Sequence, residues 1–187
     1  MASTGEVACF GSNVHEAYLK GLLATRMLNK LPEKGANILL SFQDRYRDDW
    51  VHCAYQLHEL GFNLFCTEKT HEFLKSNAIP SQLLHWPTTP EAQPNCFDEI
   101  RDGKIDMVIN LPNDYSKRLE DNYRIRRAAV DYNVPLLNNA VSAKMFVNAM
   151  EQHMTTNPLV GVDPPSLFEH YQDENDKDAW TDPKEFH

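Results

Sequence analysis

Five short apolar runs, separated by segments of helical spacing, constrain the fold of this 187-residue chain more than any other feature. The runs are ILLSF (38–42), NLFCT (63–67), QLLHW (82–86), MVINL (107–111) and PLLNN (135–139). They do not alternate between apolar and polar residues, which is typical of parallel strands that are covered on both faces. We therefore predict an α/β fold: a three-layer doubly wound domain with a five-stranded parallel sheet.

The segments between the runs carry helix-end signals. Asn13 and Glu16 are spaced as in a capping box, and we predict a first helix that runs from them to just before Pro32. Gly61 and Gly103 follow segments of helical period, where glycine is a common C-terminal cap. The chain thus divides into residues 1–31, the α/β domain at 32–155, and a tail at 156–187. The acid- and proline-rich composition of the tail predicts disorder.

Charge and composition exclude several classes of partner. The formal net charge is −9, and residues 163–187 contribute eight acids against two lysines. We expect no nucleic-acid partner, because neutralising phosphates requires a basic face. We expect no membrane partner and find no targeting signal, because no apolar run approaches bilayer length and the first residues lack a secretory or transit pattern.

The four cysteines lie far apart without a CxxC pair, which predicts reduced thiols and no zinc or other metal site.

Ligands of open parallel sheets bind outside the carboxyl ends of the strands. The residues there are mostly uncharged hydrogen-bonding groups: Ser41, Phe42, Thr67, Trp86, Asn110, Asn113, Asn138 and Asn139. Between Thr67 and Thr70 a strand becomes a helix, and hydroxyls with free backbone N–H groups at such a point can hold an anion. This set suits a small carboxylate or phosphate. Apart from His85, no proton-transfer group stands at a strand end.

Each of these residues also has a purely structural interpretation. The threonines can be helix caps, Trp86 can be core, and Asn110 and Asn113 can be turn formers beside Pro112. Asn122 can be a solvated helix residue. Arg126 and Arg127 can be an anion site, but such a pair is usually a salt-bridged helix face. Only the convergence of these residues on one sheet edge favours a binding site.

Long motifs of the chain resemble the carbamoyl-phosphate synthetase family. MASTGEVACFG is similar to the segment that closes the second ATP-binding half, which implies that residues 1–31 end a preceding domain and that Met1 is an internal methionine. GFNLFCTEKT, RDGKIDMVINLPN, DNYRIRRAAVD and VPLLNN resemble the C-terminal regulatory domain that follows, which is related in fold to methylglyoxal synthase. The resemblance extends from residue 1 to about residue 154.

In the ammonia-using, urea-cycle type of synthetase, the resemblance implies that this domain binds the activator N-acetylglutamate. The matching effector-binding residues are Thr67, Thr70, Trp86, Asn110, Asn113 and Asn122. Homologues that respond to nucleotides typically have a lysine at the position of Trp86, where it meets a phosphate. An indole suits an acyl-amino acid better than a phosphate.

The function implied by the resemblance is allosteric. The domain would activate carbamoyl phosphate formation from bicarbonate, ammonia and ATP, and its partners would be the effector and the ATP-binding halves of the parent ligase. This chain would contain neither catalytic residues nor a cofactor, since ATP and Mg²⁺ belong to the other domains. The urea-cycle type implies the mitochondrial matrix, and otherwise the cytoplasm.

Two alternatives stay open at this stage. The first is a UTP- or phosphoribosyl-pyrophosphate-responsive regulatory domain of a pyrimidine-pathway synthetase. The second is methylglyoxal synthase itself. That enzyme needs a carboxylate base where the N-L-P-N motif supplies asparagine. Whether the parent uses ammonia or glutamine is not decided by the residues.

Overall fold

The computed structural model describes residues 7–25, 27–89, 91–111 and 119–156. The strands are β1 (Asn37–Phe42), β2 (Asn63–Thr67), β3 (Gln82–Leu84), β4 (Met107–Leu111) and β5 (Leu136–Leu137). The helices are α1 (Val14–Ala24), α2 (Arg47–Glu59), α3 (Glu68–Ser76), α4 (Cys96–Arg101), α5 (Leu119–Asp131) and α6 (Ala140–Thr155). A 3₁₀ turn, Asp44–Tyr46, precedes α2.

The strands form one parallel sheet in the order β3-β2-β1-β4-β5, which confirms the predicted sheet. The chain moves outward from β1 through β2 to β3, then crosses back to β4 on the other side of β1. The topological switch point therefore lies between β1 and β4. Connections leave in opposite directions at such a point, and the carboxyl ends of the two strands border a crevice.

Helices cover both faces of the sheet, as a three-layer domain requires. On one face, Ile38 and Leu40 of β1 belong to a hydrophobic cluster with buried residues of α1, α2, α3 and α6. On the other face, Leu39 and Val108 belong to a cluster with α4 and α5. Because strand side chains alternate between faces, Ser41, which lies two positions after Leu39, faces the α4–α5 layer.

The predicted boundaries of the first helix, the third strand and the fifth strand are wrong. The first helix ends at Ala24, well before Pro32, and Thr25 caps it by donating from Oγ1 to the Gly21 carbonyl at 2.8 Å. The helix stops because Leu28 turns back into the core, where it is 2% exposed. The third strand ends at Leu84, short of Trp86. His85 instead makes an isolated bridge to Asn95. The fifth strand is Leu136–Leu137 and stops short of Asn139, whose side chain caps α6 by accepting from the backbone N–H groups of Val141 and Ser142.

The predicted capping box at the start of α1 is half right. The Asn13 side chain accepts hydrogen bonds from the backbone N–H groups of His15 and Glu16. The Glu16 carboxylate does not reach back to Asn13. It accepts from the backbone N–H of Ser12 at 2.8 Å and pairs with Lys20 at 2.7 Å.

Helix α1 packs on α6 and contributes to the core of the sheet. Leu19, which is 1% exposed, lies in the same cluster as Phe146 and Met150. The Tyr18 hydroxyl donates to the Ser142 carbonyl at 2.8 Å. The assignment of residues 1–31 to the end of a neighbouring domain stays a prediction.

All four cysteines are free thiols. Cys9 is half-buried, whereas Cys53, Cys66 and Cys96 lie in the core. Burial raises the pKa of Cys66 to about 12, and it raises the pKa values of Cys53 and Cys96 as well. The three core thiols are therefore neutral and unreactive at physiological pH. Across the described ranges, none of the helices combines the length and apolar content that a bilayer crossing requires.

Truncating the fully buried Leu39 tests the α4–α5 side of the core. We expect Leu39→Ala to lower the free energy of unfolding by about 2–5 kcal/mol, because a cavity replaces the lost packing. The matched control is Val141→Ala, since Val141 is 76% exposed. Urea denaturation measures both, and equal losses would contradict the described layering.

The ion pair in α1 predicts a pH dependence of stability. The hydrogen bond from Lys20, followed by those from Ser12, lowers the pKa of Glu16 from 4.5 to about 2. The carboxylate therefore stabilises the fold above its unfolded pKa of 4.5, and this contribution is lost as the pH falls towards about 2. The urea midpoint of the wild type should fall as the pH drops from 4.5 to about 2, and we expect a smaller fall in Glu16→Gln. Glu59→Gln is the control, because no ion pair joins Glu59 to another described residue, and it should leave the slope unchanged.

Candidate functional site

Three polar side chains occupy one level of the sheet, one in each central strand. Ser41 of β1 pairs in register with Asn110 of β4. Thr67 of β2 directly follows Cys66, which pairs with Leu40. Thr67 Oγ1 donates to Ser41 Oγ at 3.2 Å, so the two hydroxyls meet on the α4–α5 face. All three residues are at most 2% exposed. Ser41 and Asn110 lie at the carboxyl ends of the two strands that border the switch point, and Thr67 lies at the carboxyl end of the adjacent strand β2.

The two predicted threonines lie together beside the end of β1. Thr67 is the residue before α3, but its side chain caps no described N–H of that helix. Thr70 Oγ1 lies 3.4 Å from Thr67 Oγ1 and accepts from the backbone N–H of Phe42 at 3.2 Å. The simple interpretation as helix caps is therefore wrong. Both hydroxyls join the first turn of α3 to the carboxyl end of β1.

Asn110 and Asn122 form a buried amide pair. Asn110 Nδ2 donates to Asn122 Oδ1 at 2.8 Å, and their exposures are 0% and 1%. The interpretation of Asn122 as a solvated helix residue is therefore wrong. Asn113, the other predicted amide of this region, lies outside the described residues.

Arg126 also reaches this amide pair. The sequence offered it, together with Arg127, either as an anion site or as part of a salt-bridged helix face. Arg126 lies four positions after Asn122 on α5, and its Nη1 donates to Asn110 Oδ1 at 3.3 Å. Its neighbours Arg124 and Arg127 pair with Glu120 and Asp131 on the exposed side. No carboxylate of the described residues pairs with Arg126. The four-residue spacing from Asn122, which puts both side chains on one face of α5, distinguishes Arg126 from Arg127.

Trp86 lies on the same side of the sheet as these groups. It is 6% exposed and belongs to the α4–α5 cluster with Leu84 and Ile125. Its neighbour His85 pairs through Nδ1 with Glu68 Oε1 at 3.4 Å, which links the exits of β2 and β3. The core interpretation of Trp86 thus holds for most of its surface.

The edge presents hydroxyls, amides and one guanidinium. These groups can donate hydrogen bonds to an anionic ligand that carries acceptor atoms. A carboxylate, that of Asp121, also lies near these groups. Its Oδ1 accepts from the Thr88 hydroxyl at 2.6 Å. The pair His85–Glu68 lies at the rim. A cavity of about 410 Å³ lies instead at the amino ends of β1, β4 and β5, between Lys30, Ala36, Asp106 and Pro135, and contains no predicted site residue.

Residues 49–138 match the family described as "MGS-like domain". The matched segment contains every predicted effector-binding residue, and the doubly wound sheet is consistent with that family. A crystal structure of methylglyoxal synthase from Elizabethkingia anophelis NUHP1 has the same fold, with a TM-score of 0.50 and 20% sequence identity. The superposition covers 63% of this chain and 79% of that chain. Residues 49–138 of the chain therefore belong to the MGS-like domain family.

The relatives of this chain are much longer proteins. The chain is 45% identical over 175 residues to mitochondrial carbamoyl-phosphate synthase (ammonia) of Homo sapiens and equally to that of Mus musculus. It is 37% identical over 180 residues to multifunctional protein CAD of Squalus acanthias. The match covers 92% of this chain but 11% of the human relative, so the chain spans about a tenth of that protein. The resemblance to the C-terminal region of a carbamoyl-phosphate synthetase is thus confirmed.

Removing one member of the amide pair should expose the cost of an unpaired buried polar group. We expect Asn122→Ala to lower the free energy of unfolding by about 1–3 kcal/mol, because the buried amide of Asn110 loses its acceptor. Asn138→Ala, at an exposed strand-end asparagine, is the control and should change it by less than about 0.5 kcal/mol. Urea denaturation gives both free energies of unfolding. If Asn122→Ala loses no more than the control does, the buried hydrogen bond between Asn110 and Asn122 is contradicted.

Proposed function

We propose that this chain is the effector-binding regulatory domain of a carbamoyl-phosphate synthetase and that its effector is N-acetylglutamate. The polar cluster at the β1–β4 switch point carries the proposal: it brings hydroxyls, amides and a guanidinium together at one sheet edge. The similarity to mitochondrial ammonia-using synthases supports the choice of effector. The mitochondrial matrix is the compartment that these relatives favour.

The chemistry of the cluster fits a small dicarboxylic molecule. The hydroxyls of Thr67 and Thr70, with the backbone N–H groups of the first turn of α3, would donate to one carboxylate. Arg126 would donate to the other in a charge-assisted bond, with Asn110 and Asn122 nearby to bind the acetamide. Trp86 would pack against the methylene chain. Each bond now made between protein groups would then be exchanged for a bond to the ligand.

The domain would act by coupling and not by chemistry of its own. An effector that binds one state of the parent enzyme more tightly shifts the equilibrium towards that state, and the active sites affect effector affinity reciprocally. ATP, Mg²⁺ and the reacting groups would be held by the ATP-binding halves. Helix α1, which packs against α6, would connect this domain to the preceding part of the chain.

Two rivals are tested by the same panel of ligands. The similarity to multifunctional protein CAD favours a domain that binds UTP or phosphoribosyl pyrophosphate. Trp86 argues against it, since an indole cannot neutralise a phosphate. Methylglyoxal synthase has only the fold in its favour, and turnover of dihydroxyacetone phosphate by this chain would establish that activity in place of the regulatory role.

Isothermal titration calorimetry with N-acetylglutamate tests the proposal. We expect saturable binding to the wild-type chain, and a loss of affinity of about ten- to hundredfold in Arg126→Gln, because the ligand loses a charge-assisted bond. Arg127→Gln is the matched control, since Arg127 pairs with Asp131 on the exposed face.

UTP and phosphoribosyl pyrophosphate should produce no binding heat. Absence of binding by the wild type, or equal affinities of the two arginine variants, would contradict the proposal.

A further inference from the structure

We propose that Thr88 and Asp121 are positioning residues of this effector site. In this proposal the Asp121 carboxylate on α5 holds the turn that starts at Trp86, and so fixes the indole relative to the amides. The inference rests on the proposed function for its ligand, although the contact itself lies in the described structure.

The contact is a two-point hydrogen bond to a buried carboxylate. Asp121 Oδ1 accepts from the backbone N–H of Thr88 at 3.0 Å and from its hydroxyl at 2.6 Å. Asp121 is 2% exposed, whereas Thr88 lies at the surface. Hydrogen bonds to an ionised carboxylate are roughly twice as strong as neutral ones, and loss of the donors would leave a buried charge poorly solvated.

Thr88 lies in the turn that presents Trp86. The backbone N–H of Thr89 donates to the Trp86 carbonyl at 3.0 Å, so residues 86–89 form a turn with Trp86 at its first position. Pro87 occupies the second position, where its fixed φ is favourable. Anchoring Thr88 through two atoms therefore holds the whole turn against α5.

The other flank of Trp86 is tied to a different segment. The backbone N–H of His85 donates to the Pro94 carbonyl at 2.8 Å, and the Cys96 N–H donates to the His85 carbonyl at 2.9 Å. These bonds fix the chain before Trp86 to the start of α4. The Thr88–Asp121 pair supplies the second tether, after Trp86, and without it the turn could swing about His85.

Asp121 also lies where it can link the turn to the polar cluster. Its sequence neighbour Asn122 bonds Asn110 at 2.8 Å, and Arg126 on the same helix reaches Asn110 as well. The two atoms of Thr88 are thus joined to the helix that carries the amide and the guanidinium. Holding the indole and these groups at one separation before the ligand arrives lowers the ordering cost of binding.

A purely structural role for this pair would have different consequences. Asp121 lies in the first turn of α5, where a carboxylate stabilises the helix through its dipole. In that case the Thr88 hydroxyl would matter for the free energy of unfolding and not for effector affinity. If the pair has a positioning role, loss of the Thr88 hydroxyl lowers the affinity for the effector even at temperatures where every variant is fully folded.

The test compares Thr88→Val, Thr88→Ser and Thr89→Val in the full chain. Valine keeps the shape of Thr88 and removes its hydroxyl, whereas serine keeps the hydroxyl. Thr89→Val is the matched control, because the Thr89 hydroxyl makes no hydrogen bond to any described residue of the same turn or elsewhere. Two readouts are used: amide hydrogen exchange of Thr88 and Thr89 without ligand, and calorimetric affinity for N-acetylglutamate.

We expect Thr88→Val to speed exchange of both amides and to weaken N-acetylglutamate binding by about tenfold, as expected from the loss of one charge-assisted bond with its preorganisation. Thr88→Ser and Thr89→Val should each stay within about twofold of the wild type on both readouts, since the carboxylate keeps its donors. Rescue by serine distinguishes the hydrogen bond from the volume of the side chain.

The outcomes separate this inference from the proposed function. Unchanged exchange in Thr88→Val overturns the positioning pair, whether or not a ligand binds. Faster amide exchange in Thr88→Val together with wild-type affinity for N-acetylglutamate would show that the pair is only a structural tether, and this result also overturns the positioning role. Failure of the wild-type chain to bind N-acetylglutamate overturns the proposed function and, with it, the positioning role in effector binding.

Discussion

The parallel pairing of β1 with β4 at the centre of the sheet is the constraint on which the rest of the structure depends. It places Ser41 and Asn110 at one level, and β2 adds Thr67 on the other side of Ser41. Three polar residues at one level of a sheet that is covered on both faces must find partners, because buried polar groups without hydrogen bonds are costly. The partners come from Thr70 at the start of α3 and from Asn122 on α5.

The electrostatics of this edge contrast with those of the whole chain. The protein carries a formal net charge of −9. At this edge the hydroxyls and amides lie beside one guanidinium, that of Arg126, and the carboxylate of Asp121 is held by Thr88. Three arginines lie within four positions of α5, and they have different kinds of partner. Arg124 and Arg127 pair with acids of their own helix, and Arg126 turns towards Asn110. A local cation among amides favours an anionic ligand even where the overall charge repels anions.

The same fold supports catalysis in methylglyoxal synthase, so the fold does not decide what this domain does. The difference must lie in the groups at the carboxyl ends of the strands. Here the described polar side chains of β1, β2 and β4 at those ends are hydroxyls and amides, which do not ionise near neutral pH. Under the proposed function these groups would bind and orient a ligand inside a larger enzyme, and the chain matches about a tenth of its human relative.

The amino-acid sequence by itself determined the sheet. Continuous apolar runs such as 107–111 are typical of strands covered on both faces, and their alternation with helices favours parallel pairing. It also placed Thr67 and Asn110 at the carboxyl ends of β2 and β4, since those ends follow from the lengths of the runs. It misplaced the ends of α1 and β3, where burial of Leu28 and the bridge from His85 to Asn95 override local propensity.

Only the tertiary structure decided which polar residues meet. The burial of Asn122, the inward course of Arg126 and the bond between Thr88 and Asp121 depend on how α5 lies against the sheet. Thr88 and Asp121 are separated by 33 positions, and no local pattern encodes that contact. Hydrophobic periodicity is a property of each segment, whereas a hydrogen bond between segments depends on their distance and angle after packing, and the sequence specifies these only through the whole fold.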